Sequence, residues 1–168
     1  LIGVTGTKGK TTTTYMIKSI LEGAGHRVGL IGTIETIISE ETVPSANTTP
    51  ESYLIQRYFR KMLDSGCDCC VMEVSSQGLM MHRTAGFVFE MGIFTNLEPD
   101  HIGPNEHASF EEYMECKSLL FSQCRIGILN ADDRHYKDMI KRHTCEVETF
   151  GFGGAASLRA DGVRLVKG

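Results

Sequence analysis

The chain has 168 residues, enough for one domain with a substantial core. It is 41% hydrophobic and 23% charged, which is typical of a globular domain. The formal net charge of -4 argues against a general nucleic-acid binder. No apolar run approaches the roughly 20 residues that span a bilayer, and no basic stretch precedes an apolar one as in a secretory signal. We therefore expect a cytoplasmic protein that does not bind membranes, and we expect it to be a monomer.

The six cysteines do not form two paired C-x-x-C units, which is the pattern of a structural zinc site. We therefore expect reduced thiols that pack as small hydrophobic side chains.

Predicted strands and helices alternate along the chain. Strands are predicted at residues 2–4, 27–31, 69–74, 88–95, 126–129 and 146–150, with a further candidate at 33–38. Helices are predicted from the end of the first loop to about residue 24, from Thr49 to before Gly66, at 109–122 and at 132–142. Thr49 and Pro50 have the residue types of an N-cap and a first helical position. This alternation predicts an α/β fold with a mostly parallel sheet flanked by helices.

The domain organisation follows from the same pattern. Residues 1–150 form one predicted domain, and residues 151–154 are a glycine-rich turn or hinge. Residues 157–167 could form a short hairpin. Because no obvious closing element follows, we expect residues 151–168 to be a truncated remainder of the same domain.

A phosphate-binding loop is predicted between the first strand and the first helix. It consists of Gly6, Thr7, Lys8, Gly9, Lys10, Thr11 and Thr12. Glycines allow backbone N–H groups to surround phosphate oxygens, and the helix N-terminus favours an anion. Lys10 would reach the β- and γ-phosphates of ATP, and the Thr11 hydroxyl would hold Mg²⁺. The alternative is a glycine-rich turn with a surface lysine.

Acidic and imidazole groups follow two later strands. Glu73 ends the apolar run 69–72, and Asp100 and His101 lie just beyond the strand 88–95. Ligands of open α/β sheets bind at the carboxyl ends of the strands, so Glu73 and His101 are candidate Mg²⁺ ligands beside the loop. Each residue also has a simpler interpretation: Glu73 could cap a turn, and His101 could belong to a surface loop.

A lysine interrupts the apolar stripe of the helix at 109–122. The stripe comprises Phe110, Tyr113, Met114, Leu120 and Phe121, continues to Cys124, and has Lys117 at its centre. A lysine is costly to bury unless it is paired or neutralised. The alternative is that Lys117 extends along the edge of the stripe to solvent.

Four motifs together resemble the Mur ligase family, in the family's order and over about residues 2–150. Gly6–Thr12 with the preceding Thr5 resembles the family's phosphate loop, residues 72–79 resemble its Glu-Val-Ser-Ser segment, and residues 95–101 resemble its Thr-Asn-Leu-x-x-Asp-His segment. Lys117 occupies the place of the family's carbamylated lysine. The sequence departs from the family at Gln77, at Met81 and in the lengthened segment 102–107.

The resemblance implies a P-loop-type Mur ligase central domain, closest to the tripeptide synthetase type. It implies that Glu73, His101 and carbamylated Lys117 position Mg²⁺, and that Asn47, Thr48, Thr49, Ser75 and Arg83 contact a UDP-N-acetylmuramoyl dipeptide. The implied reaction belongs to peptidoglycan synthesis, and so to cell shape and division. ATP would phosphorylate the precursor's carboxylate, and an amino acid would attack the acyl phosphate. Folylpolyglutamate or cyanophycin synthesis, and an ATP-binding module without ligase activity, are the alternatives.

Overall fold

The computed structural model describes residues 1–100, 102–104 and 106–164. Its strands are β1 (Ile2–Thr5), β2 (Val28–Ile31), β3 (Glu35–Ile38), β4 (Glu41–Pro44), β5 (Cys69–Glu73), β6 (Phe89–Phe94), β7 (Cys124–Asn130), β8 (Glu146–Gly151) and β9 (Leu158–Arg159). Its helices are α1 (Lys10–Gly23), α2 (Ser52–Asp64), α3 (Ser76–Met80), α4 (Phe110–Ser118) and α5 (Tyr136–Met139), and a 3-10 helix, Leu119–Ser122, continues α4. Within these residues, no helix is long and apolar enough to cross a membrane.

The described strands form one sheet in the order β4-β3-β2-β5-β1-β6-β7-β8-β9. Only the pairs β2–β3 and β3–β4 are antiparallel; the other pairs are parallel. The predicted α/β class with a mostly parallel sheet is therefore confirmed. The parallel order brings the carboxyl ends of β2, β5, β1 and β6 to one edge of the sheet.

Hydrophobic clusters cover both faces of this sheet. Val71 packs with Val4, Val28 and side chains of α1, whereas its neighbours Cys70 and Met72 pack with side chains of α2 and the helix at Tyr113. Successive residues of a strand point to opposite faces, so these two clusters lie on opposite sides. This double coverage explains why the central strands read as continuous apolar runs.

Several predicted boundaries were wrong for identifiable reasons. Helix α2 begins at Ser52 with Glu51 at the N-cap position, because the Thr49 hydroxyl is used elsewhere, as described below. The predicted helix at 132–142 shrinks to α5. The Asp132 carboxylate accepts hydrogen bonds from the N–H groups of Phe152 and Gly153, and Asp133 accepts one from Leu97, so this segment forms a turn instead.

Two further differences concern strands. Strand β4 was not predicted from the sequence. Within the described residues, β9 pairs in parallel with β8. Part of the predicted hairpin at 157–167 lies outside the described residues, so the hairpin stays a prediction. Cys124 begins β7 and does not extend the helical stripe. All six cysteines are free, as expected.

Phe89 provides a test of the core. Its side chain is fully buried and packs edge-on against Phe87, with ring centroids 5.3 Å apart. We expect Phe89→Ala to lower the free energy of unfolding by about 3–5 kcal/mol, because it leaves a cavity under the sheet. Phe152→Ala is the control, since Phe152 is 66% exposed, and it should change stability by less than about 0.5 kcal/mol. Urea unfolding followed by circular dichroism measures both; equal losses would contradict the assigned core.

Candidate functional site

The loop between β1 and α1 adopts a backbone that glycine makes possible. Gly6 has φ +151° and Gly9, the N-cap of α1, has φ +81°. A Cβ on Gly6 would lie 2.0 Å from the Thr95 Oγ1 atom, so the loop approaches the end of β6 more closely than any side chain allows. The first N–H groups of a helix have no intrahelical acceptor, and those of α1 follow directly on this loop.

The segment after β6 anchors the loop. The Thr7 N–H donates to the Asn96 carbonyl at 2.9 Å, and the Lys8 N–H donates to Asn96 Oδ1 at 2.9 Å. Thr95 Oγ1 donates to the Lys8 carbonyl at 2.9 Å. Asn130 Nδ2, at the end of β7, donates to the Thr95 carbonyl at 2.9 Å. The loop is therefore held by hydrogen bonds from two neighbouring strand ends before any nucleotide arrives.

Thr7 and Lys8 are committed to this anchoring. The buried Thr7 hydroxyl donates to the Glu98 carbonyl and accepts hydrogen bonds from the Glu98 N–H and the Tyr113 hydroxyl. The exposed Lys8 amino group pairs with the Glu98 carboxylate. Both residues were predicted to bind ATP. Their side chains bond within the protein and hold the loop in shape.

Lys10 lies beneath the loop. Its Nζ atom donates to the carbonyl oxygens of Gly6 at 2.9 Å and Thr7 at 3.2 Å. Burial lowers the pKa of Lys10, and the negative charges of Glu73 and Asp100 oppose that shift. Thr11 and Thr12 occupy the first turn of α1; Thr11 is half-buried and Thr12 is exposed.

Lys117 reaches the same carbonyl from α4. Its Nζ atom donates to the Gly6 carbonyl at 2.9 Å and lies 4.5 Å from the centre of the Tyr113 ring. The residue is 1% exposed, so extension to solvent is excluded. Burial, with a smaller contribution from the positive charge of Lys10, lowers the pKa of Lys117 to about 7.

Glu73 ends β5 and is fully buried. Its Oε1 atom accepts the Thr33 N–H at 2.8 Å, and its Oε2 atom accepts the Thr33 hydroxyl at 3.0 Å. These bonds fix the orientation of a carboxylate whose charge acts on Lys10. Thr33, at the end of β2, was not predicted; its position after a strand of the same sheet edge was the signal that could have identified it.

The predicted substrate residues gather around a pocket of about 160 Å³ beside the two lysines. Its lining includes Lys10, Lys117, Asn47, Thr48, Thr49, Ser75, Gln77 and Arg83. Asn47 is exposed and Thr48 half-buried, and the Thr48 hydroxyl is hydrogen-bonded to that of Thr33 at 3.0 Å. The structure thus brings all five predicted substrate residues together with the lysines.

The hydroxyl groups of Thr49 and Ser75 form hydrogen bonds within the protein. The Thr49 hydroxyl donates to the Glu73 carbonyl at 3.0 Å and accepts the Ser75 N–H at 2.9 Å. It therefore links the end of β5 to the segment before α2 instead of capping that helix. Ser75 Oγ accepts the Gly78 N–H and caps α3.

Arg83 is held at the pocket wall by neighbours on one side. Its Nη1 atom donates to the Thr49 carbonyl at 3.0 Å, and its Nη2 atom lies 2.6 Å from a Glu51 carboxylate oxygen. The buried Nε atom has no hydrogen-bond partner in the described part of the chain. The guanidinium is thus fixed in place with donor capacity remaining.

His101 lies outside the described residues, so the structure does not place this predicted ligand. His107, by contrast, was not singled out in the sequence. It is fully buried, its Nε2 atom lies 2.8 Å from Ser76 Oγ, and its ring centroid is 5.3 Å from that of Tyr113. It connects α3 to the side chain that supports the loop, and no local pattern in the sequence indicates this contact.

The chemistry of this edge is that of an anion site. The half-buried Lys10 and the buried Lys117 share one carbonyl, the N-terminus of α1 follows directly on the loop, and the oriented Glu73 carboxylate acts on the charge of Lys10. A nucleotide phosphate would supply the negative charge that balances the two lysine ammonium groups. Thr11, Glu73 and a carbamate on Lys117 would offer the oxygen ligands that Mg²⁺ prefers.

Comparison with known proteins agrees with this geometry. One relative is the UDP-N-acetylmuramoyl-L-alanyl-D-glutamate--2,6-diaminopimelate ligase 1 of Clostridium acetobutylicum, 45% identical over 165 residues, which are 98% of this chain and 34% of the relative. A solved structure of a ligase of the same name superimposes with TM-score 0.83 at 29% identity, covering 92% of this chain and 32% of that one. The chain thus spans about a third of the length of these relatives.

More distant structures share the fold. A bifunctional folylpolyglutamate synthase/dihydrofolate synthase from Yersinia pestis, complexed with AMPPNP and Mn ion, has TM-score 0.60 at 19% identity and covers 89% of this chain and 42% of that one. The sequence also matches the family described as Mur ligase middle domain over residues 4–167. The chain therefore belongs to the Mur ligase middle-domain family.

Proposed function

We propose that this chain is the ATP-binding core of a ligase that joins an amino acid to UDP-N-acetylmuramoyl-L-Ala-D-Glu. The observation that carries the proposal is the meeting of Lys10 and Lys117 at the Gly6 carbonyl, between the phosphate loop and the pocket that contains Ser75 and Arg83. The named diaminopimelate ligases among its relatives support this substrate assignment.

The proposed first step is phosphoryl transfer from ATP to the precursor's free carboxylate. A carboxylate oxygen forms a bond to the γ-phosphorus while the bond to the β,γ-bridging oxygen breaks, and ADP leaves. The Lys10 ammonium would offset charge on the transferring group, and α1 would direct its first N–H groups at the phosphates. In the second step an amino acid nitrogen attacks the acyl carbon, phosphate leaves, and the nitrogen loses a proton.

The residues present fit a divalent cation. Thr11 and Glu73 supply oxygen donors, and the Thr33 bonds keep the Glu73 carboxylate oriented. We propose that these residues, His101 and carbamylated Lys117 hold Mg²⁺, which when bound would neutralise phosphate charge. A Yersinia pestis protein of the same fold is complexed with AMPPNP and Mn ion, which supports the pairing of a nucleotide with a divalent ion.

Arg83 is proposed to bind an anionic group of the precursor. Its guanidinium lines the pocket and is oriented by Thr49 and Glu51. Arginine donors suit carboxylate and diphosphate oxygens. Asn47 and Thr48, which line the same pocket, would contribute amide and hydroxyl contacts. Thr49 and Ser75 would act mainly by shaping that wall, because their hydroxyls already bond within the protein.

The decisive assay uses the full-length protein with ATP, Mg²⁺, UDP-N-acetylmuramoyl-L-Ala-D-Glu and a panel of diamino acids. We expect phosphate release only with both substrates present, and a product heavier by one amino acid residue in mass spectrometry. No release with any amino acid would contradict the ligase proposal for this precursor. Release with a folate or a cyanophycin primer as acceptor would instead support the alternative ligases.

The close approach of Gly6 predicts that Gly6→Ala impairs nucleotide binding. Its Cβ would collide with Thr95, so the loop must move, at a cost of about 1–3 kcal/mol. This corresponds to a roughly 10- to 100-fold weaker affinity for ATP in calorimetric titration. Gly23→Ala is the matched control, since nothing lies within 4 Å of its added Cβ. Unchanged affinity in a folded Gly6→Ala protein would contradict the loop assignment.

The lowered pKa of Lys117 predicts that it reacts with CO₂. With a pKa of about 7, roughly half of its amino groups are uncharged at pH 7, whereas an exposed lysine is almost fully protonated. The amine nitrogen attacks CO₂, and a carbamate forms with release of a proton. At constant CO₂ pressure, we expect a carbamate signal in ¹³C NMR that grows between pH 6 and about pH 8.

Two variants assign that signal. Lys117→Arg should remove it, and Lys61→Arg, which changes an exposed lysine paired with Glu41, should leave it unchanged. A spectrum without any carbamate in the wild type, or a signal that survives in Lys117→Arg, would refute carbamylation at this position.

A further inference from the structure

Three possible metal ligands meet at the edge of the sheet opposite the phosphate loop. His26 precedes β2, and Asp68 and Cys69 stand at the beginning of β5. The two strands are parallel neighbours, with Val28 paired to Cys69. Residues that are more than 40 positions apart in sequence are thereby brought together, and the proposed ligase chemistry uses none of them.

The geometry of the three donors suits a small metal ion. A nitrogen of His26, a carboxylate oxygen of Asp68 and the Cys69 sulfur all lie within 4.8 Å of one another. His26 Nδ1 is 3.0 Å from Asp68 Oδ2. Tetrahedral zinc bonds of about 2.0–2.3 Å separate neighbouring ligand atoms by roughly 3.3–3.7 Å. The donors would therefore have to move by only about 1 Å to bind zinc.

The backbone holds these residues in register. The Arg27 N–H donates to Asp68 Oδ1 at 3.0 Å. In return, the Arg27 carbonyl accepts the N–H groups of Asp68 at 3.0 Å and Cys69 at 3.3 Å. His26 and Asp68 are exposed and Cys69 is half-buried, so an ion can enter from solvent. The site is thus largely preorganised and open.

We propose that His26, Asp68 and Cys69 form a Zn²⁺ site with its fourth position open to water. Imidazole and thiolate ligands favour zinc over Mg²⁺, and three protein ligands with one open position are a common zinc arrangement. On binding, the Cys69 S–H bond breaks, a sulfur–zinc bond forms, and the proton passes to solvent. The thiolate and the Asp68 carboxylate together balance the charge of the ion.

Burial and the Asp68 carboxylate raise the pKa of the Cys69 thiol, so a bound metal must supply the charge that favours the thiolate. Zinc would clamp the turn that leads into β2 to the turn that leads into β5. The sequence alone does not indicate this site, because its three ligands are not arranged as paired C-x-x-C units.

Cobalt titration of the full-length protein tests the proposal. Co²⁺ should produce a thiolate-to-cobalt charge-transfer band and the visible bands of tetrahedral cobalt; Zn²⁺ should abolish them, and millimolar Mg²⁺ should not. Cys69→Ser should lose the charge-transfer band. Asp68→Asn and His26→Asn should weaken cobalt binding by at least about 10-fold. Cys116→Ser, within α4, and His143→Asn, which precedes β8 several strands away in the sheet, are the matched controls and should bind as the wild type does.

Two results would overturn the site. One is a wild-type protein without a charge-transfer band, and the other is a band that survives in Cys69→Ser. If Cys69→Ser does not fold, His26→Asn decides, because that side chain is exposed, and unchanged cobalt affinity would refute the proposal. ATP affinity of His26→Asn should remain at the wild-type level, so this test is separate from that of the ligase function.

Discussion

The carbonyl oxygen of Gly6 accepts hydrogen bonds from the amino groups of both Lys10 and Lys117, and the arrangement of the site depends on this meeting point. Two lysines that share one acceptor repel each other, and burial lowers the pKa of both. A polyanionic ligand relieves that repulsion, as does conversion of Lys117 to a carbamate. The same contact therefore favours nucleotide binding and favours the chemistry proposed for Lys117.

The meeting point exists because the loop packs against the end of β6. Thr95 and Asn96 bind the backbone of Thr7 and Lys8, and only glycine fits at position 6. Tyr113 extends this support to α4 by bonding to the Thr7 hydroxyl, and α4 in turn carries Lys117. Loop, strand end and helix thus form one connected unit, which explains why its polar residues come from distant parts of the sequence.

Sequence patterns predicted the alternating elements well, because buried parallel strands and amphipathic helices differ in the period of their apolar residues. They failed where side chains compete for backbone groups. Thr49 was predicted to cap α2, but its hydroxyl bridges Glu73 and Ser75. Asp132 and Asp133 were placed in a helix, but their carboxylates bind backbone N–H groups of other segments.

The sequence by itself determined the loop chemistry of Gly6–Thr12, the parallel α/β fold and the anomaly of Lys117, because each is a local pattern of residue types. Tertiary structure alone decided that Lys117 is buried against Gly6, that Thr33 orients Glu73, and that His107 bonds to Ser76. It also decided that His26 lies beside Asp68 and Cys69. These contacts join side chains from separate strand ends, and only the order and register of the strands bring them within bonding distance.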